Sequence, residues 1–157
     1  MKIELMVIGR TGARYLQEGI DGYVKRLSHY VPFELRCLPD IKTTKSLTSD
    51  RQKELEGEMF LAQLQPGDFL VLLDERGKEM TSRDFAAYID RKMQCVAKRM
   101  IFVIGGPYGF SPAVYNRADD KISLSKMTFS HEMVRLFFTE QLYRAMTILR
   151  GEPYHHD

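Results

Sequence analysis

Cysteine is scarce in this sequence: two residues, Cys37 and Cys95, among 157. They lie far apart in unremarkable contexts, so no disulfide framework is expected, and both read as free thiols of a reducing cytoplasm. Long apolar runs are missing too. None approaches the roughly 18 residues that a bilayer-spanning helix needs, and Met1-Lys2-Ile3-Glu4 opens into a strand-like pattern without the h-region of a signal peptide. The expectation is a cytoplasmic protein with no membrane contact. Charge of one sign is lacking as well: 23 Lys and Arg stand against 21 Asp and Glu, a net charge of +2. That balance is too even to argue for nucleic-acid binding by charge alone. The local excess at Arg10, Arg14, Lys25, Arg26, Lys42 and Lys45 reads on its own as solvated surface. No repeats or low-complexity segments occur, and no cluster has zinc-site spacing, so no metal site is expected.

What is present is an ordinary globular composition, 44% apolar and 28% charged, at a length suited to one domain spanning residues 1–157. Strand and helix patterns alternate along it. Lys2–Ile8 reads as a strand ending at Gly9, and Ala13–Leu27 carries Leu16, Ile20, Tyr23, Val24 and Leu27 at helical spacing. Phe33–Leu38 is a second strand between Pro32 and Pro39, and Asp40–Thr48 a polar loop. A helix follows, capped by Ser49 or Asp50 and ending before Pro66-Gly67. The apolar runs Phe69–Leu73 and Met100–Ile104 suit strands buried on both faces of a parallel sheet. Glu75-Arg76-Gly77-Lys78 reads as a turn, and Thr81 with Asp84 as the start of a helix running to about Val96. Ser111-Pro112 places a capping serine before a proline at the first helical position. Lys121–Leu124 is a short fifth strand, and His131–Leu149 the last and longest helix. Such alternation predicts an α/β fold, a parallel sheet with helices on both faces.

Ligands of such sheets bind beyond the carboxyl ends of the strands. Three segments fall there: Leu73-Asp74-Glu75, the glycine-rich Gly105–Gly109, and Ser125–Ser130. Glycines let backbone approach a ligand closely, but Gly105-Gly106-Pro107-Tyr108-Gly109 lacks the Gly-Lys-Ser/Thr ending of a phosphate loop and the spacing of a dinucleotide fingerprint. On local pattern alone it is equally a tight strand–helix turn. Leu124–Phe129 mixes hydroxyls, a lysine and apolar groups, as an adenine-binding loop would, although an ordinary connection is the commoner meaning of such a stretch. In the last helix Val134, Phe137, Phe138, Leu142, Ala145 and Leu149 read as core. Arg135, Thr139, Tyr143 and Arg150 read as a polar stripe, and Glu140 and Arg144 as an i,i+4 pair. Tyr154, His155 and His156 crowd the end of the chain, where a functional tail would have to fold back.

Taken together, Val103-Ile104-Gly105-Gly106 with Gly109, then Leu124-Ser125-Lys126-Met127-Thr128-Phe129, then Tyr143-Arg144-Ala145 leading to Tyr154-His155, resemble the ribosomal RNA large subunit methyltransferase H family. Met1-Lys2-Ile3 with Gly9 and the Tyr23-x-x-Arg26-Leu27 spacing match as well, so the resemblance spans essentially the whole chain. It implies a SPOUT fold whose C-terminal part is threaded into a trefoil knot, a homodimer, and S-adenosylmethionine-dependent methylation of N3 of a pseudouridine in 23S rRNA. It implies cofactor contacts at Leu73, Gly105, Leu124, Ser125, Lys126, Met127, Thr128 and Phe129. These are the three strand-end segments already singled out. Two departures concern RNA contact: His156 and Asp157 stand where the family often has Lys or Arg, and Arg10-Thr11-Gly12-Ala13 replaces a lysine-rich stretch.

The chemistry asks for a proton acceptor and for positive charge. His155 is the expected base, because a neutral imidazole is available near pH 7. Arg135 or Arg144 is expected to stabilise negative charge developing on the base's carbonyl oxygens, with Glu140 orienting Arg144. Two other classes fit the local patterns: a ribosome-associated RNA-binding factor without chemistry, and a small nucleotide-binding hydrolase using the glycine loop.

Overall fold

Strands and helices alternate as the hydrophobic pattern predicts. The computed structural model describes residues 1–157. Its elements run β1 (Lys2–Ile8), α1 (Arg14–Leu27), β2 (Phe33–Leu38), α2 (Ser49–Ala62), β3 (Phe69–Glu79), α3 (Ser82–Cys95), β4 (Arg99–Ile104), α4 (Pro112–Arg117), β5 (Asp120–Ser123) and α5 (His131–Leu149). The five strands form one parallel sheet in the order β2-β1-β4-β3-β5. Alternate residues of the central strands serve opposite faces. Met100, Phe102 and Ile104 of β4 pack with Phe85 and Ile89 of α3 and with Phe138, Leu142 and Ala145 of α5. Ile101 and Val103 pack with Phe60 of α2 and Val114 of α4. That two-sided burial is why β3 and β4 read as unbroken apolar runs. No helix is long and apolar enough to cross a membrane.

Four helices begin on a hydroxyl; in three of them Thr81, Ser111 and Ser130 accept from the backbone N–H of Asp84, Val114 and Met133. The cap of α2 is Thr48, which accepts from Arg51 N at 3.1 Å, one residue earlier than the expected Ser49 or Asp50.

The expected turn at Glu75–Lys78 is not a turn. β3 continues to Glu79 and pairs with β5 twice: Leu73 and Lys78 both sit opposite Ile122, with a register shift between them. The strand arcs outward over residues 74–77 and returns. Gly77 makes this possible, because a Cβ there would lie 2.7 Å from the backbone of Lys121 and Ile122. Glycine and charge in Glu75-Arg76-Gly77-Lys78 mimic a turn, whereas tertiary pairing with β5 decides the outcome. The last helix also departs from expectation. Phe138, Leu142 and Ala145 are buried, but Phe137 and Leu149 stay over a third exposed.

Candidate active site

The arc of β3, the loop after β4 and the loop after β5 meet at the carboxyl end of the sheet and enclose an open cleft of about 570 Å³. This is the size range of a small-molecule site. Its apolar wall comes from Leu73, Ile104, Leu124, Phe129 and Val134. Of the eight residues expected to contact cofactor, Leu73, Gly105, Leu124, Ser125, Met127, Thr128 and Phe129 line it. Lys126 does not; its ammonium points outward, 3.5 Å from Glu79 Oε1 and mostly exposed.

Both loops are shaped by their own backbone. Gly109 N donates to Gly106 O at 3.1 Å, closing the glycine loop on itself, and Gly109 has φ +84°, which an L side chain resists. A Cβ on Gly105 would lie 3.2 Å from Gly109 O and from the Phe110 ring. In the second loop Ser123 Oγ donates to Ser125 O at 2.8 Å, and Met127 N donates to Ser125 Oγ at 3.0 Å. Backbone N–H and C=O groups beside an apolar wall are what recognition of a purine edge and an aliphatic tail requires, so these residues fit S-adenosylmethionine.

Sequence reasoning missed several contributors, two of them from helices remote in sequence. Lys53 reaches the cleft from α2, and Tyr115 from α4. Tyr115 Oη donates to Asp74 Oδ2, while Asp74 Oδ1 accepts from Arg76 N at 3.0 Å, so this pair fixes the β3 arc. Burial and then the bond to Asp74 push the Tyr115 hydroxyl up to about 12, which keeps it a donor at neutral pH. Neither residue carries a local signal, because each arrives through helix packing.

A second cavity of about 280 Å³ shares Leu124 and Phe129 with the cleft and is lined by Phe137 and Glu140. Phe137 packs at a tilt against Phe129, with ring centroids 4.9 Å apart. Glu140 leads to the tail. After Gly151, with φ +67°, the chain folds back along α5. Tyr154 packs on Tyr143 at 4.7 Å, and its hydroxyl donates to Glu140 Oε1 at 3.0 Å. The same oxygen accepts from Arg144 Nε at 3.0 Å and Nη2 at 2.5 Å, a contact that raises the Arg144 guanidinium further. Arg144 Nη1 lies 3.1 Å from His155 Nδ1, and His155 Nε2 lies 2.7 Å from Asp157 Oδ1. Arg144 has no acceptor, so in a neutral ring Nδ1 holds the lone pair and Nε2–H donates to Asp157. Asp157 is held by Arg83 Nε at 2.7 and 2.8 Å. The structure thus brings His155, Arg144 and Glu140 together.

It does not bring Arg135 to them. Arg135 is buried; Nη1 donates to Gly9 O at 2.9 Å and Thr11 Oγ1 at 3.0 Å, and Nη2 donates to Ile8 O at 2.7 Å. Burial lowers its pKa. It joins α5 to the end of β1, and Thr139, also buried, donates to Arg135 O and Leu136 O of its own helix, so neither belongs to an exposed polar stripe.

The sequence is similar to known proteins along its whole length. Residues 1–155 match the family described as Predicted SPOUT methyltransferase. Over all 157 residues, covering the whole of both chains, the sequence is 62% identical to Ribosomal RNA large subunit methyltransferase H of Parabacteroides distasonis. It is 57% identical over the same span to the protein of that name from Bacteroides thetaiotaomicron, and 55% to that from Porphyromonas gingivalis.

Proposed function

This chain belongs to the SPOUT methyltransferase family, and from that premise we propose that it methylates ribosomal RNA of the large subunit, at N3 of a pseudouridine in 23S rRNA. The observation that carries the reading is the cleft, where seven of the eight expected cofactor residues converge from three separate strand ends. A docking factor needs no such cleft. A phosphate-cleaving hydrolase needs a phosphate-binding ending that the glycine loop lacks. The names of the full-length relatives support the RNA substrate. The protein acts in the cytoplasm, where ribosomes are. Phe137, Met127 and Tyr15 leave apolar side chains exposed, and a homodimer is the commonest way to cover such surface.

Bound in the cleft, S-adenosylmethionine supplies an electrophilic methyl carbon. The protein's task is to orient the acceptor and to remove its proton. Orientation alone supplies much of what a protein can contribute to such a transfer. An imide N3–H is a weak acid, and His155 accepts that proton. In the docked tail the Nδ1 lone pair faces Arg144, so the base role requires Arg144 to turn its N–H toward the carbonyl oxygen where negative charge develops. Glu140 keeps the guanidinium within reach through the turn of α5 that separates them.

The test is methyl transfer to isolated RNA, 50S subunits and 70S ribosomes. Wild type is expected to label ribosomal particles. Deleting Tyr154–Asp157 should leave folding and cofactor affinity intact but remove most transfer, and His155→Ala should lose at least about tenfold, given the roughly 10²–10⁴ typical of acid–base help. A tail deletion that methylates at the full rate would end the role given to His155.

A further inference from the structure

Behind the glycine loop sits a carboxyl group that no part of this chemistry has used. Glu56, in the middle of α2, is 3% exposed, between the helix and the loop that forms one wall of the cleft. Its Oε2 has only a long contact, from Gln52 Nε2 at 3.4 Å. Its Oε1 is buried with no hydrogen-bond partner. Both oxygens press on Gly106: a Cβ added there would lie 2.3 Å from Oε2 and 2.6 Å from Oε1. One residue along, a Cβ on Gly57 would overlap Ser111 Oγ at 2.5 Å, at the other end of the same loop. α2 and the loop are therefore interlocked at Glu56–Gly106 and at Gly57–Ser111. A buried acid with a free oxygen is costly unless that oxygen gains a partner. Burial pushes this carboxyl above its ordinary range, and the nearby Asp40 carboxylate adds to the effect, while Gln52 and the Gly106 backbone oppose it.

We propose that Glu56 is the positioning residue of the cofactor loop: it seats Gly106 from behind, and its free oxygen accepts a backbone N–H of the loop when the cleft fills. This rests on the reading of the cleft as the S-adenosylmethionine site. Glu56 touches neither cofactor nor RNA; it acts through Gly105–Gly109, which line the cleft. Gly106 has no positive φ, so what an alanine there meets first is the Glu56 carboxyl and not backbone strain.

Calorimetric S-adenosylmethionine binding to the full-length protein tests this, with hydrogen exchange of the loop amides as a second readout. Wild-type binding comes first; if wild type does not bind, the site reading fails and not this one. Given binding, Glu56→Ala should weaken affinity by roughly tenfold, the loss expected for a buried hydrogen bond. It should also abolish the cofactor-induced protection of the Gly106 amide. Glu56→Gln, which keeps the shape and an acceptor, should recover most of both. Gly106→Ala approaches the contact from the other side and should weaken binding at least as much. It should cost much less in the Glu56→Ala background, where the methyl has room. A purely structural Glu56 would lower thermal stability and leave affinity and loop protection unchanged. A folded Glu56→Ala or Gly106→Ala protein that binds with wild-type affinity overturns the proposal.

Discussion

At the scale of single residues, two buried polar atoms lack a hydrogen-bond partner, Arg135 Nε and Glu56 Oε1, and the two side chains differ in what else holds them. Arg135 has three acceptors for its terminal nitrogens, and its removal would leave the Ile8 and Gly9 carbonyls unpaired. Glu56 has an oxygen with none, and that gives it a pH signature. Its pKa in the folded protein is raised above the ordinary 4.5. The unfolded chain therefore ionises first as pH rises, and the stability tied to the protonated form, complete below about 4.5, is lost as pH climbs through the folded value. Glutamine does not titrate. Melting temperatures of Glu56→Gln and wild type, compared from pH 4 to 9, should diverge in favour of the variant as pH rises; parallel curves would show that the buried carboxyl carries no such penalty. Nothing local in Gln52-Lys53-Glu54-Leu55-Glu56-Gly57 announces this. Glu54 and Glu56 look alike in sequence, and only the packing of α2 against the glycine loop sets them apart.

At the scale of elements, what sequence revealed depended on how local the cause was. The β-α order was legible, because two-sided burial writes apolar runs into β3 and β4 and hydroxyl caps mark the starts of α3 and α4. Most of the cleft wall was legible too, because it follows from strand ends. The second half of β3 was not. Its strand character comes from Lys78 and Glu79 finding Ile122 and Ser123, over forty residues on. The docking of Tyr154 and His155 on α5 was legible only conditionally, as the fold-back that a functional tail would need, and the buried position of Arg135 not at all. The β3 arc is testable. Gly77→Ala places a methyl against backbone that cannot move aside as a side chain can. It should destabilise the protein by about 1–3 kcal/mol, as overpacking typically does, and weaken cofactor binding because Asp74, Glu75 and Arg76 on the arc line the cleft. Urea unfolding and calorimetry on the same variant check both halves; an unchanged midpoint would mean the arc and β5 separate without cost.

At the scale of the whole molecule, the two ends of the sheet divide the work. The carboxyl ends carry the cleft, with its open backbone and a carboxyl short of partners. The amino ends carry a charge network with few gaps. Arg99, at the start of β4, donates from Nε and Nη2 to Asp68 at 3.0 and 2.6 Å, from Nη1 to Glu4 at 3.1 Å, and from Nη2 to Gln63 O at 3.0 Å. Asp68 and Glu4 are both almost wholly buried. Burial by itself would raise the Asp68 carboxyl, but Arg99, the Gln65 N–H and Arg117 outweigh it and hold it below the ordinary range. A depressed carboxyl contributes stability that is present above the unfolded value, near 3.8, and is lost as pH falls through the folded one. Arg99→Leu removes the charge that two buried carboxylates share. Breaking a buried pair costs about 3–5 kcal/mol, and that cost belongs to the ionised forms. It should be largest at pH 7 and shrink as Asp68 gains its proton below the ordinary value near 3.8. Urea unfolding of wild type and Arg99→Leu at pH 7 and pH 3.5 measures the difference. A cost that is the same at both pH values would mean Arg99 holds the strand ends together by packing and not by charge.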